Sequence, residues 1–337
     1  MKLPEFKITS LMETLALQIV DLMKYLSSLG TDKKFLHLRK DNRLKSIQSS
    51  LAIEANSLSL QQVTDIINGK KVVGDVREIL EVKNAWAAYE KIEHYDPFSL
   101  DSLLEAHALL SNQLVKDSGV FRTMQVNVYK GFELIHAGAK PKEILPLMTE
   151  LFDWAQGSNI NAIIKSCIIH FIIEYIHPFE DGNGRIGRLW QTVVLHSWDR
   201  NFQWIPIETM VYQNQQGYYM ALQLSSQQNN ANPFIEFMLG IIKFTLENII
   251  ESRNIKRKKK KPSFENLGIK FGIKLGINQQ LILEEIEKNP FITATEIAYK
   301  INISKTAVEN NIAKLKELGI LQRVGARKNG YWKIVSN

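Results

Sequence analysis

The chain has almost no cysteine. One thiol, Cys167, stands among 337 residues, which excludes a disulfide framework and any metal site built on cysteine clusters. It lies in an apolar run and reads as a buried core thiol of a reducing compartment. Long hydrophobic runs are also missing. The longest, Cys167 to Ile173, is interrupted by His170 and is far too short to cross a bilayer. The opening MKLPEFKITS lacks the apolar segment of a secretory signal, so a cytoplasmic location and no membrane partner are expected. Internal repeats and long low-complexity tracts are absent too.

What is present is the composition of an ordinary soluble protein, 45% apolar and 23% charged, long enough for two or three domains. The net charge of +7 is unevenly placed. Residues 253–337 hold 18 Lys and Arg against 7 Asp and Glu, a net +11, which leaves −4 for residues 1–252. A basic tail on an acidic body hints at a nucleic-acid or acidic partner for the tail.

Periodicity divides the chain. Apolar residues recur at Leu11, Leu15, Ile19 and Leu22, and a helix over 8–30 with Gly30 as its stop is predicted. Further helices are predicted over Arg43–Asn56, over Val76–Ile92 with Asp75 as cap, and over 100–116. Alternation from Gln125 to about His136, broken by Gly131, predicts a β-hairpin. Helices resume over 141–155 and over Asn161–Ile176, the latter apolar nearly all round and therefore central. Arg185–Asp199 forms the next, followed by two at about 213–227 and 232–251. The run Lys256–Pro262 reads as a charged linker. Beyond it, helices at Gln279–Lys288, Thr293–Ile301 and Ser304–Leu318 precede strands Leu321–Val324 and Tyr331–Val335 around the turn Lys328-Asn329-Gly330. Three helices and a hairpin make a winged helix-turn-helix pattern.

Between the central helix and its successor lies His177-Pro178-Phe179-Glu180-Asp181-Gly182-Asn183-Gly184-Arg185-Ile186-Gly187-Arg188. His177 can take a proton near neutral pH and activate a hydroxyl nucleophile. Asp181 offers a hard oxygen to Mg²⁺, whose other ligands would be phosphates and water. Gly182, Asn183 and Gly184 let the backbone approach phosphates where a helix begins and its dipole is positive. Arg185 and Arg188 lie three apart in the first helical turn and share a face that could grip a polyphosphate. Each piece alone is commonly structural; together they point to phosphoryl or nucleotidyl transfer by positioning and electrostatics.

The string HPFEDGNGRIGR resembles the Fic family signature, HPFx(D/E)GNGRxxR, at every specified position, and the wider likeness covers about residues 45–245. The resemblance implies a mainly α fold, a helical bundle with a β-hairpin flap, followed here by a small C-terminal winged helix-turn-helix domain. It implies transfer of AMP from Mg-ATP to a Ser, Thr or Tyr hydroxyl of a target protein. His177 would be the base, Asp181 the metal ligand, and Gly182, Asn183, Gly184, Arg185 and Arg188 the phosphate ligands, with Arg188 on the γ end. Gly119-Val120-Phe121-Arg122-Thr123-Met124-Gln125-Val126-Asn127-Val128 resembles the strand entering the flap, whose backbone at Val126 and Val128 would pair with the target. Tyr218-Tyr219, with Pro233-Phe234, resembles the adenine-pocket segment, although Ser226 stands where many members carry Asn. Intact His177 and Asp181 favour an enzyme. The runner-up is a DNA-binding regulator with a Fic-like nucleotide sensor, and the loop alone does not separate AMP from UMP or phosphocholine transfer.

Ser49-Ser50-Leu51-Ala52-Ile53-Glu54-Ala55-Asn56 places Ser50 and Glu54 one turn apart on one helix face. It resembles the family's inhibitory helix, (S/T)xxxE(G/N), departing only at Ala55. By that resemblance Glu54 pairs with Arg188 and withholds it from ATP, and in some members the same glutamate also serves AMP removal. The implied domains are 1–95 with the inhibitory helix at about 43–56, a catalytic core 96–252, a linker 253–266 and the winged helix 267–337. Ser304, Lys305, Thr306, Asn310 and Lys314 suit a DNA groove, although winged helices also dock proteins. A homodimer is expected from the resemblance.

Overall fold

The computed structural model describes residues 2–28, 34–130, 133–257, 276–301, 303–325 and 330–335. Its contacts divide the chain into two units, Met1–Glu247 and Asn248–Asn337. Most of the predicted linker and the tip of the predicted wing, residues 326–329, lie outside the described residues. No described helix is long and apolar enough to cross a membrane.

The first unit is built around one apolar hairpin of helices. Helix α7, Ala162–Ile176, is capped by Asn161 and buries Ile163, Cys167, Phe171 and Ile173 on different faces. A helix apolar on all sides must be enclosed on all sides, and each buried isoleucine there contributes about 1.5–3 kcal/mol. Helix α8, Asn183–Trp198, packs along it, burying Ile186, Leu189, Trp190 and Val193. The single thiol, Cys167, is fully buried between them, and burial pushes it up to about 12.

Around this pair lie α1 (Ser10–Ser28), α2 (Lys34–Ile53), α3 (Leu60–Ile67), α4 (Val76–Glu90), α5 (Leu100–Leu110) and α6 (Pro141–Gly157). Caps fix several starts: Ser59 forms a capping box with Gln62, Asp75 accepts the N–H groups of Arg77 and Glu78, and Ser99 accepts that of Ser102. α2 begins well before the expected Arg43. α5 stops at Leu110 rather than continuing to 116, because Asn84 Nδ2 takes the carbonyls of Leu110 and Asn112 and the chain turns. The hairpin forms as β1 (Asn127–Lys130) and β2 (Glu133–Ala137), with Asn127 opposite Ala137 and an irregularity between Val128 and Tyr129. Then come α9 (Ile207–Gln213), which periodicity did not indicate, α10 (Gln215–Gln228) and α11 (Asn232–Arg257).

In the second unit, α12 (Ile277–Lys288), α13 (Ala294–Ile301) and α14 (Lys305–Glu317) precede antiparallel β3 (Leu321–Val324) and β4 (Tyr331–Ile334). Ile282, Leu283, Ile286, Ile297, Val308 and Leu315 form its core. Thr293 and Ser304 take the expected capping places, accepting the N–H groups of Glu296 and Ala307. Trp332 locks the hairpin to the α12–α13 connection through bonds to Pro290 and Ile292 carbonyls.

Candidate active site

The loop between α7 and α8 is held from both ends. His177, at the end of α7, adopts the left-handed conformation with φ 54° and ψ 61°, and its N–H reaches Ile173 O at 2.9 Å. Such a backbone costs a non-glycine residue about 1–2 kcal/mol and persists only where neighbours enforce it. Arg122 is that neighbour. Its guanidinium donates to the carbonyls of His177 at 2.7 Å, Met124 at 2.6 Å and Ala139 at 2.6 Å, while its own N–H takes Pro178 O. One buried cation therefore ties the end of α7 to the stem of the hairpin, with no acidic partner among the described residues.

Asn183 closes the loop upon itself. Its Oδ1 accepts Phe179 N–H and its Nδ2 donates to Phe179 O, both at 2.9 Å. The amide is thereby used in shaping the turn, and only the residue's backbone faces the helix start. The Phe179 ring stacks on His107 at 3.6 Å and 7°. His107 Nδ1 accepts Gly119 N–H, so Nε2 carries the proton and donates to Asp181 O at 3.0 Å. Burial holds this imidazole down to about 4, which keeps it neutral. Gly182 turns the chain with φ 81° into α8. The first intrahelical bond runs from Ile186 N–H to Gly182 O, leaving the N–H groups of Asn183, Gly184 and Arg185 free of helix partners, as an anion nest requires.

Charged groups surround that nest. Asp181 Oδ1 accepts Gly182 N–H at 2.6 Å, while Oδ2 lies 3.1 Å from both Arg185 Nη2 and Arg77 Nη2. Glu81 Oε1 stands 3.4 Å from Arg185 Nη1. Arg188, only 2% exposed, gives Nε to Ser50 Oγ and Nη2 to Ser50 O, each at 3.0 Å, and Nη2 to Glu54 Oε1 at 2.7 Å. Burial opposes the charge of Arg188, but the nearby carboxylate of Glu54 outweighs it and holds the guanidinium firmly protonated. Glu54 Oε1 occupies the space beside Gly184 where any side chain would stand, so the carboxylate fills the mouth of the nest.

The end of α2 explains how Glu54 is presented. Asn56 N–H bonds to Leu51 O and Ala55 N–H to Ala52 O, the paired bonds of a Schellman motif. The motif demands a left-handed residue, and Ala55 supplies it with φ 68°. This is the position where the family resemblance calls for Gly or Asn, and its backbone is the reason. Gln215 Nε2 and Tyr219 OH both donate to Ile53 O, pinning the helix end. Beyond it, Asn56 bonds to Glu81 and Ser57 to Glu78. Tyr218 is buried, its hydroxyl 3.0 Å from His170 Nε2 and 3.2 Å from Glu174 Oε1. Val126 immediately precedes β1 and its carbonyl accepts Gly138 N–H, while Val128 lies in β1 opposite His136.

The Fic/DOC family matches residues 97–195, and an HTH domain matches residues 278–331. A Fic family protein from Desulfovibrio desulfuricans is 30% identical, with a TM-score of 0.70, over 100% of this chain and 99% of that one. The chain belongs to the Fic family. The Fic-1 structure from Caenorhabditis elegans, at 20% identity and a TM-score of 0.63, shares the fold over 73% of this chain and 74% of that one. The curated relatives include "Protein adenylyltransferase fic-1" of Caenorhabditis elegans, 26% identical over 62% of this chain and 44% of that protein. "Protein adenylyltransferase Fic" of Nematostella vectensis is 25% identical over 64% and 51%. The chain spans about half the length of the curated relatives it matches.

Sequence reasoning found the Fic loop and the α2 glutamate but not their supports. His107, Arg77, Glu81 and Glu174 carried no motif. Arg122 falls within the segment that resembles the strand entering the flap, yet nothing in the string shows that its side chain turns to the end of α7. Glu174 is the plainest omission, since it lies three residues before His177 on the same helix. Its carboxyl is pushed up to about 7, first by burial and then by Glu54, with Arg188 opposing. A carboxylate in an otherwise apolar helix was the available signal.

Proposed function

We propose that this Fic protein is an autoinhibited protein adenylyltransferase, transferring AMP from Mg-ATP to a Ser, Thr or Tyr hydroxyl of a target protein. The observation that carries the reading is the Glu54 carboxylate lying against Gly184 and hydrogen-bonded to Arg188, an anion seated where a phosphate would otherwise sit. The names of the curated relatives support the transferred group.

His177 would accept the proton of the target hydroxyl. The hydroxyl oxygen then bonds to the α-phosphorus, the bond from that phosphorus to the bridging oxygen breaks, and pyrophosphate leaves. The N–H groups at the start of α8 and Arg185 would hold phosphate oxygens, and Arg188 the γ end. Val126 and Val128 would align the target chain beside the hairpin. Asp181 fits a Mg²⁺ ligand: it is a partly exposed carboxylate whose Oδ2 already attracts two cationic groups. No group of three or more metal-ligating side chains exists among the described residues, which suits an ion that takes one carboxylate and completes its shell with phosphates and water. Bound there, Mg²⁺ would neutralise triphosphate charge.

In this reading Glu54, just past the end of α2, is a brake, because Arg188 cannot serve both a carboxylate and a γ-phosphate. Tyr218 and Tyr219 then act less as direct adenine contacts than as supports, one behind Arg188 and one at the end of α2. The C-terminal unit would be a separate docking module. Lys305, Thr306, Asn310 and Lys314 are exposed on α14, suited to nucleic acid or an acidic protein.

Incubation with α-labelled and γ-labelled ATP tests the reaction. Label from α-ATP on protein in Glu54→Gly, lost in Glu54→Gly with His177→Ala, is expected. Label from γ-ATP would instead mean phosphoryl transfer, and no label despite ATP binding would favour a nucleotide sensor.

A further inference from the structure

Asp181 uses its two oxygens unequally. Oδ1 is committed to its own loop through Gly182 N–H, whereas Oδ2 receives guanidinium groups from two directions, each at 3.1 Å. One is Arg185, a nearly buried member of the Fic signature. The other is Arg77, on the first turn of α4, 104 residues earlier and 59% exposed. Arg77 belongs to no motif. Behind the pair stands Glu81, with Oε1 3.4 Å from Arg185 Nη1 and 3.8 Å from Arg77 Nε. The four side chains alternate in sign around a ring.

We propose that Arg77 gates the cation site: in the nucleotide-free protein it occupies the outer oxygen of Asp181 as a surrogate cation, and it must withdraw before a divalent ion can bind. The inference rests on the reading of Asp181 as the metal carboxylate. Two guanidinium groups within contact distance of one oxygen leave no room for a third cation and repel its approach. Arg185 has phosphates to turn to once a triphosphate arrives, and Arg77 has Glu81. Nucleotide therefore removes both obstacles, and cation affinity becomes conditional on nucleotide. Glu81 also bonds to Asn56, just past the Glu54 brake, at 2.9 Å. A retreating Arg77 thus arrives at the residue that anchors the end of the brake. The gate nevertheless acts on Asp181, whereas Glu54 acts on Arg188, so the two are separable by mutation.

The test is titration of the full chain with Mn²⁺, free ion followed by electron paramagnetic resonance, without nucleotide and then with ATP. Wild type, Arg77→Gln, Arg77→Lys and Asp181→Asn are compared, with thermal melts confirming that each is folded. Arg77→Gln should bind Mn²⁺ about fivefold more tightly than wild type without nucleotide, the scale of a partly exposed ion pair. Arg77→Lys, which keeps the charge, should stay near wild type, and the gain should shrink when ATP is present. Asp181→Asn should abolish site-specific binding in every background. Unchanged or weaker binding in Arg77→Gln, with Asp181 still required, overturns the gate while leaving Asp181 as ligand. Binding that persists in Asp181→Asn overturns the gate together with the metal assignment beneath it.

Discussion

The two buried arginines on either side of the Fic loop are partnered in opposite ways. On the hairpin side, Arg122 donates, among the described residues, to the backbone carbonyls of His177, Met124, Ala139 and Ile176. Those acceptors cannot leave, cannot be titrated and are not shared with a substrate. On the α2 side, Arg188 is bonded to the Ser50 hydroxyl and carbonyl and to the carboxylate of Glu54, which is 39% exposed. That carboxylate lies just past the end of α2 with a strained residue next to it, and a phosphate could replace it. A guanidinium fixed by carbonyls is architecture, and one held by a half-exposed acid can be a switch. In the proposed reading, the first sets His177 as the base and the second withholds the phosphate site.

The largest consequence falls on the hairpin side. Arg122→Ala leaves several buried carbonyls without donors and should cost about 3 kcal/mol of stability. Chemical denaturation should show the loss, and hydrogen exchange should rise at Ala139 and at the end of α7. An Arg122→Ala protein as stable as wild type would erase the distinction between the two arginines.

On the opposite side, Glu174 reports how deeply charge is buried behind Arg188. Its carboxyl, lifted by burial to about 7 from an ordinary 4.5, keeps a proton in the folded state that the unfolded chain releases between those values. The stabilisation is complete below pH 4.5 and is lost as pH rises to 7. Relative to Glu174→Gln, wild type should therefore weaken across that window, by up to about 3 kcal/mol. His107 and His170, held by burial to about 4 and about 3, stay neutral in the folded state across this window in both proteins, so their contributions cancel. Because Glu54 adds to the lift, the window should move downward in a Glu54→Gly background. Urea melts at several pH values measure this, and a pH-independent difference would contradict it.

The smallest effect concerns Ala55. Glycine there relieves the left-handed backbone at the cost of a more flexible unfolded chain, a net gain of about 1 kcal/mol. Ala55→Gly should raise the melting temperature by a few degrees. It should also lower basal transfer severalfold by steadying the brake. Faster basal transfer in Ala55→Gly would reverse the inferred role of the strain.

Much of this was legible in the sequence. The all-round apolar character of Asn161–Ile176, the turn chemistry of Gly182 and the capping residues Asp75, Thr293 and Ser304 are local, and local rules recover local structure. The twelve-residue loop was legible for the same reason, since its groups are contiguous. What escaped was assembled by tertiary contact. Arg77 meets Asp181 across 104 residues, His107 meets Phe179 across the α5–loop interface, and no spacing rule joins them. Helix α5 ends short of the expected 116 because Asn84, on a different helix, donates to the carbonyl of its last residue, Leu110, and to that of Asn112 beyond it. Tyr218 and Tyr219 are adjacent in sequence but not alike in environment, and only the packing shows that one faces His170 while the other reaches Ile53.

The most direct test of the brake is basal AMP transfer, followed with α-labelled ATP and measured side by side in wild type, Glu54→Gln and Glu54→Gly. Losing a charge-assisted bond to Arg188, discounted for the exposure of Glu54, should speed transfer roughly ten- to thirtyfold in Glu54→Gly. Glu54→Gln, which keeps the shape without the charge, should fall between. Equal rates in all three would show that Arg188 is not withheld by Glu54 at all.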